Sequence, residues 1–450
     1  MPIPAAMLKL CLPAVLGLLM IVIYNMADTF FVGLLGQPAQ TAAVAVAAPV
    51  LLAFNSISNL FGFGTSSVMS RALGKKDYDT IRQSSAFGFY CAAAGALLIS
   101  LGYLIFNAPL MDILGATEAT LAPSRDYMFW TVMLGALPSI LNMVLSNMVR
   151  AEGYSLHASV GTMSGCLLNI LLDPLFILPW GLNMGAAGAG FATFISNCFA
   201  CLYYFVLLRL RRGNTYISLN PARLLKVKKE VPLAVFGVGI PAMIQNLLNV
   251  TGMTLLHNFA ADFGPEALSA VGIAGKVASM AMYIGLGIGQ GIMPLVGYNY
   301  SSGNVKRMKE AIITSGKVTL LVMTTISAIF ILFPGQTIAF FMKNDQVIAY
   351  GSMLIIGYAL AQPFMGIDFL GVGVFQACGM GKSALIFALM RKIVLEIPLL
   401  FILNHFFPLY GLPYAQVIAE IILATLAIIM LIRLVRKLSL KQKNEASASA

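Results

Sequence analysis

Residues 12–28 read LPAVLGLLMIVIYNMAD, an apolar run that ends on an acid. A transmembrane helix needs about 20 apolar residues, and this run, extended to about 10–34, is long enough to cross. It lacks a small-residue cleavage site, so it stays in the chain as the first helix rather than leaving as a signal peptide. Asp28 is then a carboxylate in the middle of a span. Insertion scales charge about 2.5 to 3.5 kcal/mol for that placement, so such an acid faces protein or water and marks a functional site.

Eleven more runs of the same kind follow, near 41–70, 84–106, 127–149, 157–178 and 185–208, then near 233–260, 268–298, 311–333, 347–375, 383–404 and 411–433. They are uniformly apolar, unlike the ten-residue alternating segments of a membrane barrel. Hydrophobic residues make up 59% of the 450 and charged ones 10%, against about 25% charged in a soluble domain. The expected fold is an all-α integral membrane protein of twelve transmembrane helices.

The net charge of +11 does not point to nucleic acid, because its placement follows the membrane. Except for Arg125, Lys343 and Lys276, every Lys and Arg falls on one side of the twelve-helix layout, including Arg71–Arg82, Arg209–Lys229, Lys306–Lys317, Lys382–Lys392 and the tail from Arg433. The positive-inside rule then puts both termini in the cytoplasm of the inner (plasma) membrane. Cys198-Phe199-Ala200-Cys201 has a C-x-x-C spacing but no second ligand pair, and all six cysteines lie in apolar runs as small core residues.

The basic stretch 209–230 divides the spans six and six. This gives an amino-terminal bundle 1–208, a cytoplasmic linker 209–230, a carboxyl-terminal bundle 231–435 and a cytoplasmic tail 436–450. An internal repeat supports the cut. At a shift of 227, Ala43-Val44-Ala45-Val46-Ala47 resembles Ala270-Val271-Gly272-Ile273-Ala274, and Gly62 and Gly64 fall on Gly289 and Gly291. Gly74-Lys75-Lys76-Asp77 resembles Gly303-Asn304-Val305-Lys306, and Arg150-Ala151-Glu152-Gly153 resembles Gln376-Ala377-Cys378-Gly379. Six spans return the chain to its starting side, so the bundles are related by a pseudo-two-fold axis along the membrane normal. Such parallel repeats are a transporter architecture with the path between the halves, and a pair of bundles enclosing its own path works as a monomer.

The buried polar residues carry the chemistry. Asn25 and Asp28 are three apart, Asn169 and Asp173 four apart, so each pair shares a helix face. Pro174 frees a backbone carbonyl one turn before Asp173. Oxygens from two helices suit a hard cation such as sodium, by analogy with other hard ions. Two carboxylates close together in low dielectric also suit a proton. Asp368 is the plausible carboxyl-half counterpart. Glu396 and Glu420 pair as readily with Arg391, Lys392 or another helix as they serve transport, and Lys276 is the candidate cation to answer an acid across the bundle. The Met-rich second half is mild support for varied ligands. The sequence holds no phosphate loop, metal-ligand cluster or catalytic triad, so no cofactor is expected beyond Na+ or H+ as coupling ion.

At these residues the chain resembles the multidrug and toxic compound extrusion (MATE) family, nearer its DinF-like and MepA-like bacterial branches. The resemblance rests on Asn25-Met26-Ala27-Asp28-Thr29-Phe30-Phe31-Val32-Gly33, Arg71-Ala72-Leu73-Gly74, Asn169 to Phe176, Gly185 to Thr193, Gly297-Tyr298-Asn299-Tyr300 and Gln376 to Gly379. It implies an antiporter that exports amphipathic, often cationic compounds in exchange for sodium ions or protons. Where that family has an amino-half cation site, its ligands match Asp28, Asn169, Asp173 and Thr193, and the resemblance implies a site for sodium or for a proton at these residues. Another branch uses acids on helices seven and ten; here helix seven offers only Gln245 and Asn246, with Asp368 on helix ten. The competing readings are a lipid-linked sugar flippase, which calls for more cavity cations than Lys276, and a membrane-embedded enzyme or channel.

Overall fold

The computed structural model describes residues 1–114, 116–261 and 263–448; Gly115, Asp262 and the last two residues of the tail lie outside the described residues. Long apolar segments satisfy their backbone within themselves, as a bilayer requires, and they form helices: α1 (Ile3–Gly33), α2 (Pro38–Gly74), α3 (Tyr78–Ile113), α4 (Glu118–Leu134 continued by Ala136–Ala151), α5 (Ser155–Ile177) and α6 (Ala186–Leu210). After the linker come α7 (Glu230–Ala261), α8 (Pro265–Ser301), α9 (Val305–Leu332), α10 (Asp345–Ala377), α11 (381–406) and α12 (Gly411–Ala448). Each span expected from the sequence has its helix.

Ten of these helices, among the described residues, are long and apolar enough to cross a membrane on their own, and α4 makes eleven when its 48° bend is taken as one span. The bend follows a π-helical segment, Phe129–Leu134. The twelfth, α11, contains a second π-helical segment, Met390–Glu396, which carries Arg391, Lys392 and Glu396 into the apolar run. Those three charges are what separates it from an ordinary apolar span.

The internal repeat is visible as shared helix-ending chemistry. Gly153 and Gly379 both take positive φ, +89° and +74°, just past α4 and α10, which is the usual left-handed helix stop. The α2 exit corrects the expected pairing of Gly74 with Gly303. Lys76 (φ +60°) and Gly303 (φ +74°) are the equivalent left-handed residues. They are followed by Asp77, which accepts from Thr80 N–H at 3.1 Å, and Asn304, which accepts from Arg307 N–H at 3.2 Å. The shift there is 227, as for the Gly62 and Gly289 pair, and it becomes 226 by Gly153 and Gly379, so the register moves by one residue between α2 and α4.

Close contacts divide the chain into two compact units, Leu16–Met243 and Met1–Val15 with Ile244–Ala450. The cut therefore falls inside α1 and α7, where a bundle boundary at 209–230 was expected. Glycines account for it. A Cβ on Gly64 of α2 would stand 2.4 Å from the Val235 carbonyl oxygen of α7, and one on Gly239 would meet the Leu60 carbonyl. In the other unit, a Cβ on Gly291 of α8 would stand 2.6 Å from Cys11 Cα of α1. Gly64 and Gly291 are repeat partners doing the same work: each lets a crossing helix reach backbone distance.

The linker is ordered and docked on the Leu16–Met243 unit. Glu152, at the end of α4, accepts from Tyr216 N–H and Thr215 O–H, each at 2.7 Å. Tyr90 donates to the Leu219 carbonyl at 2.7 Å, Arg223 pairs with Asp79 at 2.9 Å, and Tyr216 stacks on Tyr78 at 4.0 Å. Burial pushes the Glu152 carboxyl up from its ordinary pKa.

Candidate ion-coupling site

In the Leu16–Met243 unit the acids come from the C-terminal ends of two helices. Asp28 lies about 7.5 Å before the end of α1 and Asp173 about 6 Å before the end of α5. The mid-span position expected for Asp28 is thus corrected: α1 begins at Ile3 and stops at Gly33, so the acid sits in its last third. Asp173 is fully buried at 0% exposure and Asp28 nearly so at 7%. The two carboxylates lie within electrostatic reach of each other.

Close packing of α6 sets this arrangement. A Cβ on Gly188 would stand 2.6 Å from the Phe176 carbonyl oxygen of α5, and one on Gly190 would stand 2.8 Å from the Tyr127 carbonyl oxygen of α4. Gln40 Oε1 of α2 accepts the buried Ala186 N–H at 2.7 Å and so caps the start of α6. Helix α6 thereby presents Thr193 to α5. Asn169 donates Nδ2–H to Thr193 Oγ1 at 3.3 Å, Asn197 donates to the Thr193 carbonyl at 3.0 Å, and Asn142 donates to Asn197 Oδ1 at 3.1 Å.

The amide donors of Asn169, Asn197 and Asn142 are each taken by an oxygen within this network. Asp28 Oδ1, Asn169 Oδ1 and both oxygens of Asp173 are buried without a hydrogen-bond partner, and among the described residues no ion pair reaches either acid. Three helices thus supply two carboxylates, an amide oxygen and a hydroxyl, the donor chemistry of a hard monovalent cation or a proton. Asn25 does not join them. Its side chain is exposed while Asp28 is buried, because the edge of the buried face passes between positions three apart; only its backbone carbonyl is engaged, accepting from the Thr29 hydroxyl at 3.0 Å. Sequence reasoning missed Tyr127, buried on α4 within electrostatic reach of both acids, and the Asn142–Asn197 bridge; neither residue forms a local motif.

The carboxyl-half candidates are arranged differently. Asp368 of α10 is paired with Arg391 of the α11 π-helical segment, and Arg391 Nε lies 3.0 Å from Glu420 Oε1 of α12. Lys392 holds Glu396 at 2.6 Å. The expected pairing of Glu396 and Glu420 with Arg391 and Lys392 is therefore present. Arg391 is buried in the span rather than lying in the cytoplasmic basic band, and Lys276, the cation expected to answer an acid, is exposed. Gln245 and Asn246 are half-buried on α7.

The sequence profile of the family described as MatE matches residues 13–175 and 241–402. The multidrug export protein MepA of Staphylococcus aureus is 32% identical over 438 residues, covering 96% of this chain and 94% of its own, and MepA of Staphylococcus haemolyticus is 32% identical over 439 residues with the same coverage. Among solved structures, an outward-facing multidrug resistance MATE transporter of the MOP superfamily superposes with a TM-score of 0.90 at 22% identity, covering 96% of both chains. The Vibrio cholerae MATE transporter VcmN in its bent form gives 0.88 at 21% identity, covering 97% of this chain and 98% of that one. With a twelve-helix fold, a repeat that the family profile matches in both halves and relatives along nearly its whole length, this chain belongs to the MATE family of multi-pass membrane transporters and is not an enzyme.

Proposed function

We propose that this protein is a cation-coupled antiporter of the inner (plasma) membrane that exports amphipathic, often cationic compounds, with both termini in the cytoplasm. The observation that carries the reading is the set of partnerless buried oxygens on Asp28, Asn169 and Asp173. A membrane protein does not leave two acids uncompensated unless something positive visits them. Sodium would take Asp28, Asp173, Asn169 Oδ1 and Thr193 Oγ1 as ligands; a proton would be held between the two carboxylates. Either ion changes the local charge, and that change biases the exchange between inward-open and outward-open states only if the two states bind it with different affinity.

The curated relatives named as multidrug export proteins support the substrate class. The flippase reading has little support in the charge pattern, since Arg391 is committed to Asp368 and Glu420 and Lys276 is exposed. In proteoliposomes, an imposed inward sodium or proton gradient drives extrusion of a cationic dye by the wild type. Undiminished extrusion by the Asp28→Asn, Asp173→Asn double variant would overturn the reading.

A further inference from the structure

The other unit holds a second group of buried acids that the coupling site does not use. Asp368 and Glu420 are 2% and 1% exposed, and both lean on one cation, Arg391. Arg391 donates Nη2–H to Asp368 Oδ2, while its Nε stands at ion-pair distance from Glu420 Oε1 without a hydrogen bond. Asp368 Oδ1 and Glu420 Oε2 are left buried and without a partner. The guanidinium carries one positive charge against two negative ones, and the neighbouring Lys392–Glu396 pair is neutral in itself. The group therefore has one negative charge too many for its surroundings.

The charged groups that act on Glu420 are Arg391, Asp368, Glu396 and Lys392, and Arg391 acts on Asp368. Helices α8 and α9 pack against α10, yet among the described residues neither sends a charged side chain to pair with either acid. Among the described residues the excess charge has no protein partner. We propose that this cluster is a protonation site in its own right, with a single proton shared by Asp368 and Glu420 and Arg391 as a built-in counter-ion. Two bare oxygens beside a guanidinium are enough to hold a proton. They are too few for a metal ion, which needs about six oxygen ligands when hard, and the fixed positive charge repels one. Arg391 stands in a π-helical segment, a departure from α-helix that is frequent at functional sites. Proton binding turns one carboxylate into a neutral acid and changes no other bond.

The test uses full-length protein in lipid nanodiscs on the Asp28→Asn, Asp173→Asn background, so that its outcome does not depend on the coupling site. The infrared spectrum at neutral pH is expected to show the carbonyl stretch of one protonated carboxyl group, indifferent to sodium. Either Glu420→Gln or Asp368→Asn removes it, because each leaves Arg391 with a single acid and a balanced charge. Both substitutions preserve size, and one well-folded variant is sufficient. Absence of the band on the background, its persistence through the substitution, or its loss on adding sodium would each overturn the proposal.

Discussion

Asn169 donates its side-chain amide hydrogen to Thr193 Oγ1 across 3.3 Å, and that bond turns the Asn169 carbonyl oxygen, partnerless, into the same buried space as Asp173. The hydroxyl thus serves two ends: it fixes the amide and offers its own lone pair.

Replacing Thr193 with Val keeps the shape and removes the acceptor. The Asn169 amide is left buried and unpaired, which costs about 1 to 3 kcal/mol. Thermal unfolding in detergent should fall for Thr193→Val and recover for Thr193→Ser. If sodium is the coupling ion, Thr193→Val also weakens its binding, seen as a higher sodium concentration for half-maximal export.

The glycines of α6 make a separate prediction. Gly188→Leu drives a side chain into the Phe176 backbone, which cannot move aside as a flexible side chain can. We expect a loss of about 1 to 3 kcal/mol, the usual scale of overpacking, with export reduced although every acid is intact. Gly33→Ala is the control, since an added Cβ there meets nothing within 4 Å; its melting temperature and activity should match the wild type.

Asp77 caps α3 outside the membrane, and the Thr80 side chain, then the Thr80 backbone N–H, hold its carboxyl below the usual carboxylate range. A depressed acid contributes its stability above its unfolded pKa of about 3.9 and loses it as pH falls through the folded value. Asp77→Ala should therefore cost about 1 kcal/mol at neutral pH, with the gap to wild type closing in acid. Asp77→Asn keeps the acceptor and should show a flatter pH profile, measured by thermal unfolding from neutral to acidic pH.

Helix positions were legible because a twenty-residue apolar run has one reading in a bilayer. Asp28 and Asp173 were legible because a lone acid in such a run is costly. Side-chain direction was less so: Asn25 sits three residues from Asp28 and still falls on the exposed side. The Arg391 cluster was half legible. Its acids stand out in the sequence, but Arg391 follows a basic stretch that reads as cytoplasmic, and only the π-helical turn and the approach of α10 and α12 reveal it as their partner. The repeat was readable from its glycines, yet the Lys76 and Gly303 equivalence hides behind a change of residue type and emerges from their shared positive φ.

The central claim is that Asp28 and Asp173 tie cation movement to export, and ion flux measures it directly. In vesicles carrying matched sodium and proton gradients, added substrate should collapse one of them in the wild type. Single Asp28→Asn or Asp173→Asn variants should slow that collapse by about tenfold or more, corresponding to about 1.4 kcal/mol or more of lost coupling, and the double variant should abolish it. Substrate-driven collapse of the same gradient at an undiminished rate in the double variant would contradict the account.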